Sequence, residues 1–192
     1  MRLNFRNLAA SAAIALCAPF ASATVLTFDD IVGNDGFASV PGNYGGLDWS
    51  SSGLSVFTGE QAPFTAHSGK GRVTTDWIDG GSIASTIRFI TPTIFHGAWF
   101  SGYSDSSVRF DLYFKGLLVS SSTAMQLSDS PAYLDAGWNS AIDKIVVSSG
   151  AQASYVMDDL SFASAVPEPR SLVLMLAGLG LAGAVVLRRS RT

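Results

Sequence analysis

Cysteine, histidine and positive charge are all scarce in this chain. Its 192 residues include one cysteine, Cys17, and two histidines, His67 and His96. With a single thiol the fold must stand on packing, without an internal disulfide. Neither histidine sits in an H-E-x-x-H or H-x-E context, and two histidines without cysteine make a thin zinc site. No G-x-S-x-G elbow accompanies the many serines. Between residues 24 and 165 there are fourteen acidic and six basic residues, a net charge of −8 against −3 for the whole chain. Thirteen of those acids are aspartate; Glu60 is the only glutamate. Such a surface argues against nucleic acid or anionic lipid as partner, and is compatible with calcium and with neutral or cationic glycans. No amphipathic helix and no internal repeat interrupt residues 24–165.

Long apolar runs are confined to the two ends. At the start, Arg2 and Arg6 precede an apolar stretch over 8–20, and Ala21-Ser22-Ala23 has the small-x-small form of a signal-peptidase site. The expectation is a signal peptide over 1–23, cut after Ala23 and removing Cys17 with it. About 140 residues then remain before the tail, an ordinary size for one domain with its own core. At the other end, residues 171–187 carry no charge. Seventeen residues at about 1.5 Å each make a helix of roughly 26 Å, which spans a hydrocarbon layer of about 30 Å if Arg188 snorkels. Gly178, Gly180 and Gly183 spell G-x-G-x-x-G, but no strand precedes them and no acidic residue follows, so they read as small residues in a membrane helix. The basic end, 188–192, contains Arg188, Arg189 and Arg191, which stay cytoplasmic by the positive-inside rule.

A plain anchor does not account for the Val166-Pro167-Glu168-Pro169 box placed directly before this helix. The tripartite tail, 166-VPEPRSLVLMLAGLGLAGAVVLRRSRT-192, resembles the PEP-CTERM sorting signal. That resemblance implies recognition by exosortase, a membrane-embedded transpeptidase that cuts near the box. It implies a Gram-negative bacterium making extracellular polysaccharide, transient anchoring in the inner membrane, and a final place on the cell surface or outside the cell.

Residues 24–165 read as β throughout. Alternating or β-branched runs at 24–28, 54–58, 82–89, 94–101, 108–114, 117–121, 144–148 and 154–162 are separated by Gly, Ser, Asn, Asp and Pro clusters. In 108-VRFDLYF-114 one face takes Val108, Phe110, Leu112 and Phe114, and Lys115-Gly116 reads as a hairpin corner. The expected fold class is all-β: a single β-sandwich or jelly-roll ectodomain over 24–165, followed by one C-terminal transmembrane helix. The segments 27-TFDD-30, 43-NYGGLDW-49 and 157-MDDLSF-162 resemble the ectodomains of PEP-CTERM proteins and, more loosely, galactose-binding-type jelly rolls.

Two clusters are candidate sites. Asp29-Asp30 closes the first strand and Asp158-Asp159 lies in the last. If the terminal strands are neighbours, one aspartate of each pair faces a shared site, where Asp35 or Asn34 could help complete a structural calcium shell; the alternative is that all four cap turns. Among the aromatics, Trp99 and Trp138 read as core. Trp77, with Asp76 and Asp79 in a turn-rich stretch, reads as a glycan contact, with Tyr44 and Tyr103 as outlying members. No catalytic residue is assigned. The expected function is a non-catalytic surface or matrix protein associated with exopolysaccharide; the alternatives are a dedicated carbohydrate-binding module and a secreted glycan hydrolase.

Overall fold

The computed structural model describes residues 23–31, 33–75, 83–151 and 154–165. Residues 1–22 of the expected signal peptide, the sorting tail with its expected helix, and Asp76, Trp77 and Asp79 lie outside them. The strands are β1 (Ala23–Leu26), β2 (Phe37–Ser39), β3 (Leu47–Asp48), β4 (Leu54–Phe57), β5 (Arg72–Thr75) and β6 (Ala84–Gly102). They continue with β7 (Ser107–Phe114), β8 (Leu117–Ser121), β9 (Met125–Gln126), β10 (Ala132–Asp135), β11 (Ile142–Ser149) and β12 (Tyr155–Ser164). All their pairings are antiparallel. The fold is an all-β sandwich, as the alternating runs lead one to expect. Among the described residues no helix is long and apolar enough to cross a membrane.

One strand organises the two layers. β6 runs for 19 residues and passes through an exposed stretch at Thr91 and Pro92, where a missing N–H is tolerated. Its first half pairs with β11 and β3, and β11 leads on to β7 and β8. Its second half pairs with β12 and β10, and β12 leads on to β5, β4 and β2. The sequence reads β6 as two strands, because 90-ITPT-93 has the composition of a turn. The short strands β2, β3, β5, β9 and β10 fall outside the runs read from the sequence.

The core lies between these layers. Phe110 from β7 meets Phe95 and Phe100, with ring centroids 4.8 and 5.5 Å away. Phe100 in turn touches Tyr155 of β12 at 5.7 Å. Ile87, Leu112, Ile142, Ile145 and Met157 are fully buried around them. Burying one such side chain contributes about 1.5–3 kcal/mol. Ser22–Ala165 forms one compact unit, and the whole core cluster lies inside it, so this unit carries a core of its own. The predicted hairpin is present: β7 and β8 are joined through Lys115 and Gly116, both at positive φ (51° and 80°), and Val108, Phe110 and Leu112 face inward.

β1 lies along β12, with Leu26 opposite Leu160, so the terminal strands are neighbours. Two irregularities mark the β12–β6 pair. Asp158 faces Trp99 but Ser161 faces Gly97, which leaves an extra residue in β12; Phe162 then faces Phe95, which leaves an extra residue in β6 at His96. Each extra residue reverses the inside-outside alternation beyond it.

Candidate functional site

The bulge at His96 decides where Trp99 goes. Uniform alternation from the buried Phe95 would send Trp99 inward, which is why it reads as core. The structure instead buries Ala98 and Phe100 and leaves Trp99 half-buried on the outer face. There it stands between Tyr133 of β10 and Asp158 of β12, its directly opposed neighbours. The Tyr133 ring is 5.6 Å from Trp99 and 38% exposed. Gly97 makes room for it: a Cβ there would come within 2.9 Å of the tyrosine ring.

The segment between β4 and β5 folds over the neighbouring part of this face. Ser101 donates its hydroxyl to the Thr65 carbonyl at 2.7 Å, and Phe64 meets the exposed Tyr103 edge-on at 5.0 Å. His67 lies flat on Trp99, with centroids 3.5 Å apart and planes within 11°. Its Nδ1 is 2.6 Å from the Asp159 carboxylate.

Arg72, the first residue of β5, anchors this segment from below. It is 2% exposed. Its Nε donates to the Phe64 carbonyl at 2.6 Å, one terminal nitrogen donates to the carbonyls of Lys70 (2.9 Å) and Phe57 (3.4 Å), and the other donates to the Gly59 carbonyl. The guanidinium also lies 4.2 Å from the Phe57 ring centroid. Among the described residues no carboxylate is within ion-pair distance of it. Four carbonyl dipoles therefore do the work of a counter-ion. Burial lowers its pKa, and nearby Asp158 and Glu60 oppose that shift.

Three of the four candidate calcium ligands clasp the same segment from the terminal strands. Asp29 accepts from the backbone N–H of Lys70 and of Gly71, both at 2.7 Å. Asp158 Oδ2 accepts from the N–H of His67 and of Ser68 at 2.8 and 2.9 Å, and its Oδ1 from Asp159 N–H at 2.7 Å. Asp159 Oδ1 accepts the Ser68 hydroxyl at 2.8 Å. The fourth, Asp30, turns away and accepts the Tyr44 hydroxyl at 2.6 Å. Strict alternation predicts that only one aspartate of each pair faces a shared site. Asp29 and Asp30 lie in a turn after β1, where strand alternation does not apply; it fails for Asp158 and Asp159, because Asp159 has φ +46° at the β12 bulge and turns toward the same loop. Among the described residues no group of three or more His, Cys, Asp or Glu is placed to hold a metal ion. Burial is the main cause that raises the Asp158 pKa to about 6, with the Asp159 charge adding to it and the three N–H donors opposing it.

The outlying glycan candidates fall into separate clusters. Tyr44 packs against Phe28 and Trp49 and has its pKa raised by burial and by Asp30. Tyr103 sits beside the clasped segment. That segment encloses a cavity of about 280 Å³, bordered by Thr58, Glu60, Gln61, Thr65, Lys70 and Arg72 among others. Sequence reasoning missed His67, Arg72 and Tyr133, which carry no motif.

Among solved structures, a mutant of the CBM29-2 family 29 carbohydrate-binding module is 14% identical, with a TM-score of 0.43 over 78% of this chain and 99% of that one. The CBM22-1 xylan-binding domain from Paenibacillus barcinonensis Xyn10C is 13% identical, with a TM-score of 0.42 over 78% of this chain and 100% of that one. No curated protein matches the chain. The tail is the firmer finding. Residues 165–191 match the PEP-CTERM protein-sorting motif, so this β-sandwich belongs to a chain marked for exosortase processing, export and a cell-surface or extracellular destination.

Proposed function

We propose that this is a non-catalytic exported protein that, once sorted, contacts extracellular polysaccharide through the outer face of β6 and β10. The observation that carries the reading is the Trp99–Tyr133 pair: the Tyr133 ring is 38% exposed on the outer face, and Trp99, covered on one face by His67, stands beside it. Exposed rings stack on the apolar faces of pyranoses, and nearby carboxylates accept sugar hydroxyls. Asp135, exposed and opposite Gly97, is such a carboxylate. A dedicated carbohydrate-binding module is the second reading, distinguished by tight saturable binding to one defined glycan. Trp77, Asp76 and Asp79 remain proposed glycan contacts of this chain.

The test is a titration of the unit 24–165 with purified exopolysaccharide of the producing strain. Saturable binding that weakens at least tenfold in Tyr133→Ala and in Trp99→Ala is expected. Equal binding by wild type and both variants would remove this face from the function. Sorting has its own test. With Pro167, Glu168 and Pro169 changed to alanine, the protein should stay in the membrane fraction with its tail attached; release with the wild-type C-terminus would refute the sorting role of the box.

A further inference from the structure

The cavity beside Arg72 is separate from the aromatic pair, and its lining has a definite chemical character. Glu60 offers only acceptors and Lys70 only donors, while Gln61, Thr58 and Thr65 offer both. The charges nearly balance, with Lys70 and Arg72 against Glu60, inside a domain that carries −8. A free anion is therefore poorly served, because the surrounding field repels it. Ala62, Phe64 and Ala66 add apolar wall, which suits the apolar face of a ligand, but a wholly apolar molecule would leave the carboxylate, the ammonium and the amide beside it without a partner. The matching ligand is one that presents closely spaced groups, each both donor and acceptor, and no net charge.

Size narrows the class further. About 280 Å³ is the space of roughly nine waters at their liquid volume of about 30 Å³ each. This holds one pyranose ring with its hydroxyls, and a second ring only outside the mouth. The walls are also preformed. Arg72 fixes the carbonyls of Phe57, Gly59, Phe64 and Lys70, while Asp29 and Asp158 fix the amides of residues 67, 68, 70 and 71. Loop ordering that a flexible site would cost on binding is already met in the folded state.

We infer that this cavity is a binding site for a single neutral sugar residue, such as the end or a side branch of the glycan. The proposal deepens the polysaccharide reading and rests on it for the ligand class. The aromatic face holds the polymer along its length; the cavity admits one residue of it.

The experiment is ligand-observed NMR on the unit 24–165 with D-glucose, D-galactose, D-mannose and N-acetyl-D-glucosamine. Sodium glucuronate and inorganic phosphate serve as charged controls. At least one neutral sugar should bind saturably and weaken at least tenfold in Gln61→Ala and in Glu60→Gln. Both cavity substitutions alter exposed side chains, so their melting curves should overlay the wild type. The inference is overturned if none of the four sugars binds, if a charged control binds more tightly than all of them, or if both cavity variants bind like wild type. The two readings separate cleanly. Polymer binding that survives both cavity variants, with no monosaccharide bound, sinks the cavity and keeps the face. Monosaccharide binding with polymer affinity untouched by Tyr133→Ala keeps the cavity and sinks the face.

Discussion

Arg72→Met isolates the role of the buried guanidinium. The substitution keeps an unbranched apolar stem over Phe57 and deletes all the donors. Four carbonyls lose a partner, but they do not lose equally. Gly59 and Lys70 belong to exposed residues, so water can reach their oxygens. Phe64 is 1% exposed and accepts from Nε at 2.6 Å, and Phe57 is half-buried. Losing two of these bonds from a charged donor, at about 1.5–3 kcal/mol each and offset in part by relief of the guanidinium's own desolvation, gives a loss of about 2–4 kcal/mol. For a domain of this size that is a fall in melting temperature of roughly 10 °C. Urea denaturation of the unit 24–165 measures it. Arg72→Lys should recover only part of the loss, since an ammonium cannot span carbonyls arranged for a planar fork. If Arg72→Met is within about 0.5 kcal/mol of wild type, below the cost of even one orphaned acceptor, the carbonyl cradle is not a stabilising hub and the reasoning fails.

Other outcomes follow from the clasp. Gly69 has φ +49° and a Cβ there would lie 2.0 Å from the Asp29 carboxylate, so Gly69→Ala should destabilise by about 1–3 kcal/mol in the same assay; a neutral result would mean that the loop is not held against Asp29. The Asp158 pKa is raised to about 6 from 3.8, so its contribution is greatest below its ordinary pKa and is lost as pH rises through about 6. Stability measured from pH 4 to pH 7 should therefore lose part of its decline in Asp158→Asn, and identical slopes would refute the shift. The clasp is closed by N–H and O–H donors alone, so a chelator should leave the wild-type melting temperature unchanged; a clear drop would restore the calcium reading of Asp29, Asp158 and Asp159.

What the sequence shows is what has a period or a sharp local signal. The β7–β8 hairpin was legible because four apolar residues alternate before a Lys-Gly corner. The neighbourhood of Asp29 and Asp158 was legible because terminal strands of a sandwich tend to meet. Trp99 was misplaced by one inserted residue at His96, an insertion without any compositional mark. Arg72 looks like one base among six, since nothing in the composition announces that four carbonyls between Phe57 and Lys70 will converge on it. His67 lies in a Ser- and Gly-rich stretch, and its stack on Trp99 depends on that same bulge.

The placement of β12 has a mechanical consequence. The chain leaves the sandwich at Ala165, directly after this strand, and the sorting tail begins there. β12 lies inside the sheet, bonded to β6 on one side and to β1 and β5 on the other. If the tail is held at a membrane, as the sorting proposal has it, drag on the domain enters through a doubly bonded strand. Many hydrogen bonds then share the load in shear, instead of opening one after another as they would at an edge. The attachment point is thus a strand built to share tension, and the clasped segment, bonded to β12 through Asp158 and Asp159, would register any slip of that strand as a loosened loop.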